Sequence, residues 1–355
     1  MLNENKRIEY VDILKGLGII LVILGHLEIP TLMKAWIYSF HMPMFFFLSG
    51  LVWNSKYNEL SVRDFVTKKI RSLLWPYLTF SIIYLLYNIL MSLLLKQFNL
   101  IKIIKEIIAT LYSNYIFEVN YIGVLWFLGA LFVVEILYFL ISRFDDRRIR
   151  IALLILCVFL GHVCSILERK SFLRLPWELD IAFTAIVFFS VGASAHSIMR
   201  MLRKFNMRII IGVAFLVSNI FFTYMNYIKL YNTQFIGRVD MLYLNYGNIM
   251  FFYISALSAC IGFFLIFRNS KLYIFQEIGK KSLVIMALHI YLLALLQYFL
   301  KFIGGIFGCE IVLNWAVAFV CDLVISYVCA TIIEKHFQWI LSYQRWKQLI
   351  HKKRV

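Results

Sequence analysis

The sequence predicts an all-α membrane protein of about ten transmembrane helices, both termini cytoplasmic. Three observations predict it. Of 355 residues, 62% are apolar and only 15% charged, against roughly 25% charged in ordinary soluble domains. The apolar residues fall in runs close to the ~20 residues a helix needs to cross a bilayer. The 36 Lys and Arg outnumber the 19 Asp and Glu, and they sit in the short gaps between runs, where membrane topology accounts for them. Four prolines and sixteen glycines exclude a disordered or collagen-like chain. The net charge of +17 would suit nucleic acid only on a soluble basic domain. No such domain is present, so no nucleic-acid partner is expected. A soluble enzyme and a secreted disulfide scaffold are excluded as well.

Ten runs qualify as spans: 11–29, 32–53, 72–95, 121–142, 149–167, 180–199, 207–226, 246–267, 282–303 and 310–333. They are apolar all round, not alternating as barrel strands are. The first follows Lys6 and Arg7 but ends at His26 and Glu28 without a small-residue cleavage pattern, so it reads as a retained helix. With the N-terminus in the cytoplasm, 26 of the 36 Lys and Arg fall on the cytoplasmic side, as the positive-inside rule requires. The expected organisation is a transmembrane domain, 1–335, and a basic amphipathic cytoplasmic tail, 336–355.

Two segments do not span. Residues 100–117 alternate Ile and Leu with Lys102, Lys105 and Glu106 at helical spacing, the pattern of an outer interfacial helix. Residues 337–351 place Trp339, Ile340, Trp346 and Leu349 beside Arg345 and Lys347, which suits a helix on the anionic inner leaflet. Cys157, Cys164, Cys260, Cys309, Cys321 and Cys329 form no CxxC pair, so no metal site is expected. Five of them lie in apolar runs and read as small buried hydrophobes.

The first span carries the most chemistry. Lys15 and His26 are eleven residues apart, three turns plus about 20°, so one helix face holds both, about 16 Å apart along the axis. Asp12 lies one turn below Lys15, and Gly18 and Gly25 admit close approach by other helices or a ligand. In the second span His41 precedes Pro43, and hairpin geometry allows His26 and His41 a similar depth. Lys68, Lys69 and Arg71 follow as a cytoplasmic basic cluster. Such a cluster serves topology alone or holds an anion, since Arg forks match phosphate oxygens. Glu135, His289 and Asp322 are embedded ionisable groups, costly in lipid and so either paired or lining a wet cavity. Trp126 is an interfacial aromatic or a cavity wall. Arg174, Glu178, Asp180, Arg238 and Asp240 stand with aromatics in outer loops, a mixture that suits sugar recognition and ordinary wet loops alike.

These motifs resemble the integral-membrane acyltransferase-3 family of polysaccharide O-acetyltransferases. The resemblance rests on D-x-x-K-G-x-x-x-x-x-V-x-x-G-H at Asp12 to His26 and on F-H-M-P-x-F-F-F-L-S-G at Phe40 to Gly50. It is supported by K-K-x-R-x-x-x-x-P-Y at Lys68 to Tyr77, by Trp126-Phe127-Leu128, and by Ser282-Leu283 to His289. The family usually has Arg where this chain has Lys15, which keeps the charge but loses the bidentate fork. The FHMP variant is similar to the subgroup related to fucose 4-O-acetylase.

The resemblance implies transfer of an acyl group, usually acetyl, from cytoplasmic acyl-CoA to a sugar hydroxyl. The acceptor would be a cell-surface glycan or its lipid-linked precursor. It implies a multi-pass protein of the cell membrane, in contact with membrane lipid and with no metal. Lys15, Lys68, Lys69 and Arg71 would then face the CoA phosphates. His26 would act as general base, because imidazole titrates near neutral pH, with Lys15 and His41 as further members of the catalytic group. Asp12, Trp126, Glu135, His289 and Asp322 would line the cavity. The alternative is a transporter or flippase for a lipid-linked sugar, which shares the apolar body and buried charges. A glycosyltransferase ranks below both, because its acids would need a large outer loop.

Overall fold

The computed structural model describes residues 8–113, 123–171, 174–202, 207–231, 237–307 and 312–352. Among them every regular element is helical, apart from one isolated antiparallel bridge between Asp240 and Asn245. Eight helices are long and apolar enough to cross a membrane, so the all-α membrane class is the observed one. The chain divides into two compact units: Met1–Leu51, Gly192–Asp240 and Asn245–Ile332, then Val52–Val191, Met241–Leu244 and Ile333–Val355. Cys309 lies outside the described residues, and the other five cysteines are free thiols.

The first unit opens with α1 (Glu9–Gly25), α2 (Thr31–Tyr38) and α3 (His41–Leu51). The two spans expected here take a different form. α1 stops at Gly25, with His26 at its C-cap, because Pro30 disfavours helix at Ile29. The expected span 32–53 is two helices turned at Ser39 and Phe40. Pro43 has no N–H to give Ser39 and its ring would clash with that carbonyl. Starting α3 at His41 puts Pro43 in the first turn, where N–H groups have no intrahelical partner. The turn is held by a satisfied buried network. Trp36 Nε1 donates to Asn219 Oδ1 at 2.8 Å, and Asn219 Nδ2 donates to Ser255 Oγ at 3.0 Å. Thr223 Oγ1 donates to Ser39 Oγ at 3.0 Å.

Asn219 and Thr223 lie on α10 (Arg208–Leu230), and Ser255 on α11 (Ile249–Phe267). The unit also holds α12 (Tyr273–Lys280), α13 (Ser282–Phe307) and most of α14 (Trp315–His336). α1 and α12 meet backbone to backbone: a Cβ at Gly16 would strike the Phe275 carbonyl, and one at Gly279 the Asp12 carbonyl. The space beside Gly18 is taken by Met44 and Phe45, and that beside Gly25 by Tyr38. Both glycines therefore serve helix packing.

The second unit contains α4 (Val62–Lys69), α5 (Trp75–Leu94), α6 (Leu100–Tyr112), α7 (Trp126–Ser142), α8 (Arg147–Ser171) and the start of α9 (Leu179–Leu202). A wide π-type turn, Ile70–Leu74, joins α4 to α5. Pro76 makes it necessary, since it cannot bond back to Ser72. α6 leaves Ile101, Ile104, Ile108 and Leu111 exposed, as an interfacial helix does. It buries Glu106, whose carboxyl is pushed above its ordinary value by that burial, with Lys102 acting in the opposite sense. The tail forms α15 (Gln338–Leu341) and α16 (Tyr343–Lys352). It is pinned to α5: Trp75 Nε1 donates to the Trp339 carbonyl and Thr79 Oγ1 to the Ile340 carbonyl, each at 2.8 Å.

Candidate active site

The first unit gathers three histidines that the sequence scatters. His26 caps α1, and its Nδ1 lies 2.8 Å from the Val22 carbonyl one turn back. A carbonyl only accepts, so Nδ1 carries the hydrogen. In the neutral ring Nε2 is then the bare lone pair. His289 on α13 repeats the device, with Nδ1 2.8 Å from the Met286 carbonyl and 3.2 Å from that of Ile285. Its Nε2 is therefore an acceptor, and it faces His26 Nδ1 at 3.4 Å. The two rings meet edge to face, centroids 5.0 Å apart. The single Nδ1 hydrogen of His26 thus has two acceptors behind it, and the residue as a whole keeps exposed surface. His289 is fully buried, at 0%.

His41 is the third. Its Nδ1 lies 2.9 Å from the Ile37 carbonyl, and its ring meets Tyr38 edge to face at 4.8 Å. Arg238 lies over the same Tyr38 ring at 4.8 Å and 3.8 Å from Asp240. Arg238 Nε is buried and has no acceptor among the described residues. Arg238 and Lys34 both lie within Coulombic range of His26, and Lys34 Nζ donates to the Leu27 carbonyl at 2.9 Å. The result is an imidazole on an exposed residue, its Nε2 without a partner among the described residues, with two buried imidazoles and two cations. It suits abstraction of a proton from a neutral donor, followed by development of negative charge nearby.

The other expected residues of this unit are placed as follows. Lys15 is half-buried on α1, and Asp12 is buried where Gly279 touches its backbone. Asp322 is 1% exposed and accepts from Ser326 Oγ at 3.0 Å. Sequence reading gave no part to Lys34, Tyr38, Ser39 or Asn219. Its one available signal was a polar Asn219 inside an apolar run.

The second unit separates two neighbouring lysines. Successive helical residues point about 100° apart, so Lys68 faces outward while Lys69 is buried. Lys69 Nζ lies 2.6 Å from Glu135 Oε2 and against the rings of Tyr57 and Phe65. Phe65 in turn stacks on Phe139 at 4.1 Å. Trp126 is buried at the start of α7. Lys68 and Arg71 instead line an open pocket of about 620 Å³, with Asp64, Thr67, Ser72 and residues Leu341 to Gln344. Arg174 is locked in buried pairs with Glu178 at 3.2 Å and Asp180 at 2.7 Å, so both acids are engaged within the protein. Among the described residues, no three His, Cys, Asp or Glu side chains gather as metal ligands.

A family model described as an acyltransferase domain matches residues 8–335, most of the chain. No curated protein and no solved structure matches it.

Proposed function

The chain belongs to the acyltransferase-3 family, multi-pass membrane acyltransferases, and on that premise we propose that it moves an acetyl group from cytoplasmic acetyl-CoA to a sugar hydroxyl. The acceptor is a cell-surface glycan or its lipid-linked precursor, and the protein resides in the cell membrane. The observation that carries this reading is His26, an exposed residue whose Nδ1 hydrogen is committed to Val22 and His289.

In this reading the acceptor oxygen attacks the thioester carbonyl as His26 Nε2 takes its proton. The imidazolium formed keeps its Nδ1–H bonded to two neutral acceptors, as an orienting partner does in other bases. The tetrahedral oxyanion then expels CoA: the C–S bond breaks, the ester C–O bond remains, and the thiolate recovers the proton from His26. Arg238, with its uncommitted Nε–H, supplies a donor and a positive charge for that oxyanion. Lys68 and Arg71 contact the CoA phosphates, with Lys15 at the cytoplasmic end of α1 as a further cation. Lys69 supports them through its pair with Glu135.

The test is stabilisation by the donor. CoA at 100 times its dissociation constant is expected to stabilise the purified protein by about 2.7 kcal/mol, read as a raised unfolding temperature. A shift with the lipid-linked sugar but none with saturating CoA would favour a transporter or flippase instead.

A further inference from the structure

The pocket beside the π-type turn has two walls of different origin. Asp64, Thr67, Lys68, Arg71 and Ser72 come from α4 and the turn that follows it. Leu341, Ser342, Tyr343 and Gln344 come from the tail, beyond residue 335, where the family domain ends. The matched region therefore supplies the cations, and residues beyond it supply the opposite wall.

That wall is fixed to the protein. Besides the two hydrogen bonds to the Trp339 and Ile340 carbonyls, Trp75 meets the Tyr343 ring at 5.3 Å and the Trp346 ring at 4.9 Å. Ile340 is only 6% exposed. Ile340 and part of Trp346 are thus spent on α5, while Phe337 stays exposed. What lines the pocket is a half-buried Tyr343 beside cations, its ring also meeting Trp346 at 5.7 Å. The Arg71 guanidinium lies over the Tyr343 ring at 5.3 Å, and Lys68 Nζ over Tyr57 at 4.7 Å. Asp64 already accepts from Ser61 Oγ at 2.7 Å, and its other oxygen is an acceptor for an amine. Two cations, an aromatic platform, hydroxyls and one acceptor match a purine nucleotide bearing phosphates. The volume, about 620 Å³, lies in the range of pockets that enclose ligands of that size.

We propose that residues 337–347 roof the nucleotide end of the donor site, with Tyr343 stacking on the adenine of acyl-CoA while Lys68 and Arg71 hold its phosphates. The proposal rests on the reading that acyl-CoA is the donor. It assigns to the tail a role in donor affinity in place of mere anchoring.

The test is titration of the full chain, in nanodiscs of zwitterionic lipid, with CoA and with 4′-phosphopantetheine, which lacks the adenine nucleotide. Tyr343→Ala is expected to weaken CoA about tenfold, Tyr343→Phe to restore it, and 4′-phosphopantetheine to bind both alike. Three results would overturn the roof. In the first, Tyr343→Ala leaves CoA affinity unchanged while Lys68→Ala or Arg71→Ala lowers it; the donor reading then survives and the aromatic wall does not. In the second, Tyr343→Ala weakens CoA and 4′-phosphopantetheine equally, or Tyr343→Phe fails to restore binding, so the ring acts only on structure. In the third, anionic lipid added to the nanodiscs abolishes CoA binding in the wild type and Tyr343→Ala weakens only the lipid effect, which makes the pocket a headgroup site. A wild-type chain that binds no CoA in zwitterionic lipid would instead remove the donor reading itself.

Discussion

His26→Ala is expected to lower kcat for acyl transfer by about 10²- to 10⁴-fold, the range general-base catalysis contributes, and to leave CoA affinity within twofold. The separation follows from where the ring sits. His26 closes α1, its Nδ1 hydrogen shared between Val22 and His289, and neither His26 nor His289 is among the residues that line the pocket of Lys68 and Arg71. Because only the neutral ring accepts a proton, wild-type kcat is expected to fall as pH is lowered, and that acid limb to disappear in His26→Ala. Arg238→Gln is expected to lower kcat by about 10²-fold, the cost of one oxyanion donor, while keeping the acid limb. Steady-state kinetics across pH with all three proteins reads both effects. An alanine variant that retains both the rate and the limb would remove His26 from the chemistry.

Glu135→Ala is expected to destabilise the protein by about 3–5 kcal/mol, because it strands the Lys69 ammonium in a buried site. Lys69 has no other acid within salt-bridge distance among the described residues, and the rings of Tyr57 and Phe65 enclose it. Replacing both partners, as Lys69→Met with Glu135→Leu, removes the charges together and is expected to recover most of the loss. Thermal unfolding of the single and double variants in one detergent makes the comparison. If Glu135→Ala costs nothing, the Lys69 charge reaches water or phosphate, and its grouping with Lys68 and Arg71 as a direct donor contact regains force.

The class of fold was legible because the cost of leaving a backbone unpaired in lipid admits few solutions, and runs of about 20 apolar residues meet the helical one. The break between α2 and α3 was less legible: Pro43 marks it, but the largely apolar stretch from 32 to 53 hides it. His26 was singled out as a candidate from the spacing to Lys15 on one helix. Its neighbour His289 lies 263 residues away, and no periodicity connects helices that distant, so His289 stood as a cavity-lining candidate and not as a partner of His26. Lys69 and Glu135 had the signal of opposite charges in apolar surroundings, but pairing needs the packing of α7 against the π-type turn. The tail shows the limit most plainly. Amphipathicity says that Trp339 and Ile340 must be covered, and is silent on whether lipid or α5 covers them.

The most direct test follows the acetyl carbon itself. Membranes carrying the protein are given acetyl-CoA labelled in the acetyl group, and glycan is isolated with and without mild alkali. The account predicts alkali-labile label on glycan with wild type and almost none with His26→Ala. Label that never reaches a glycan ester in wild-type membranes supplied with acceptor, or that reaches it equally in both proteins, would contradict it.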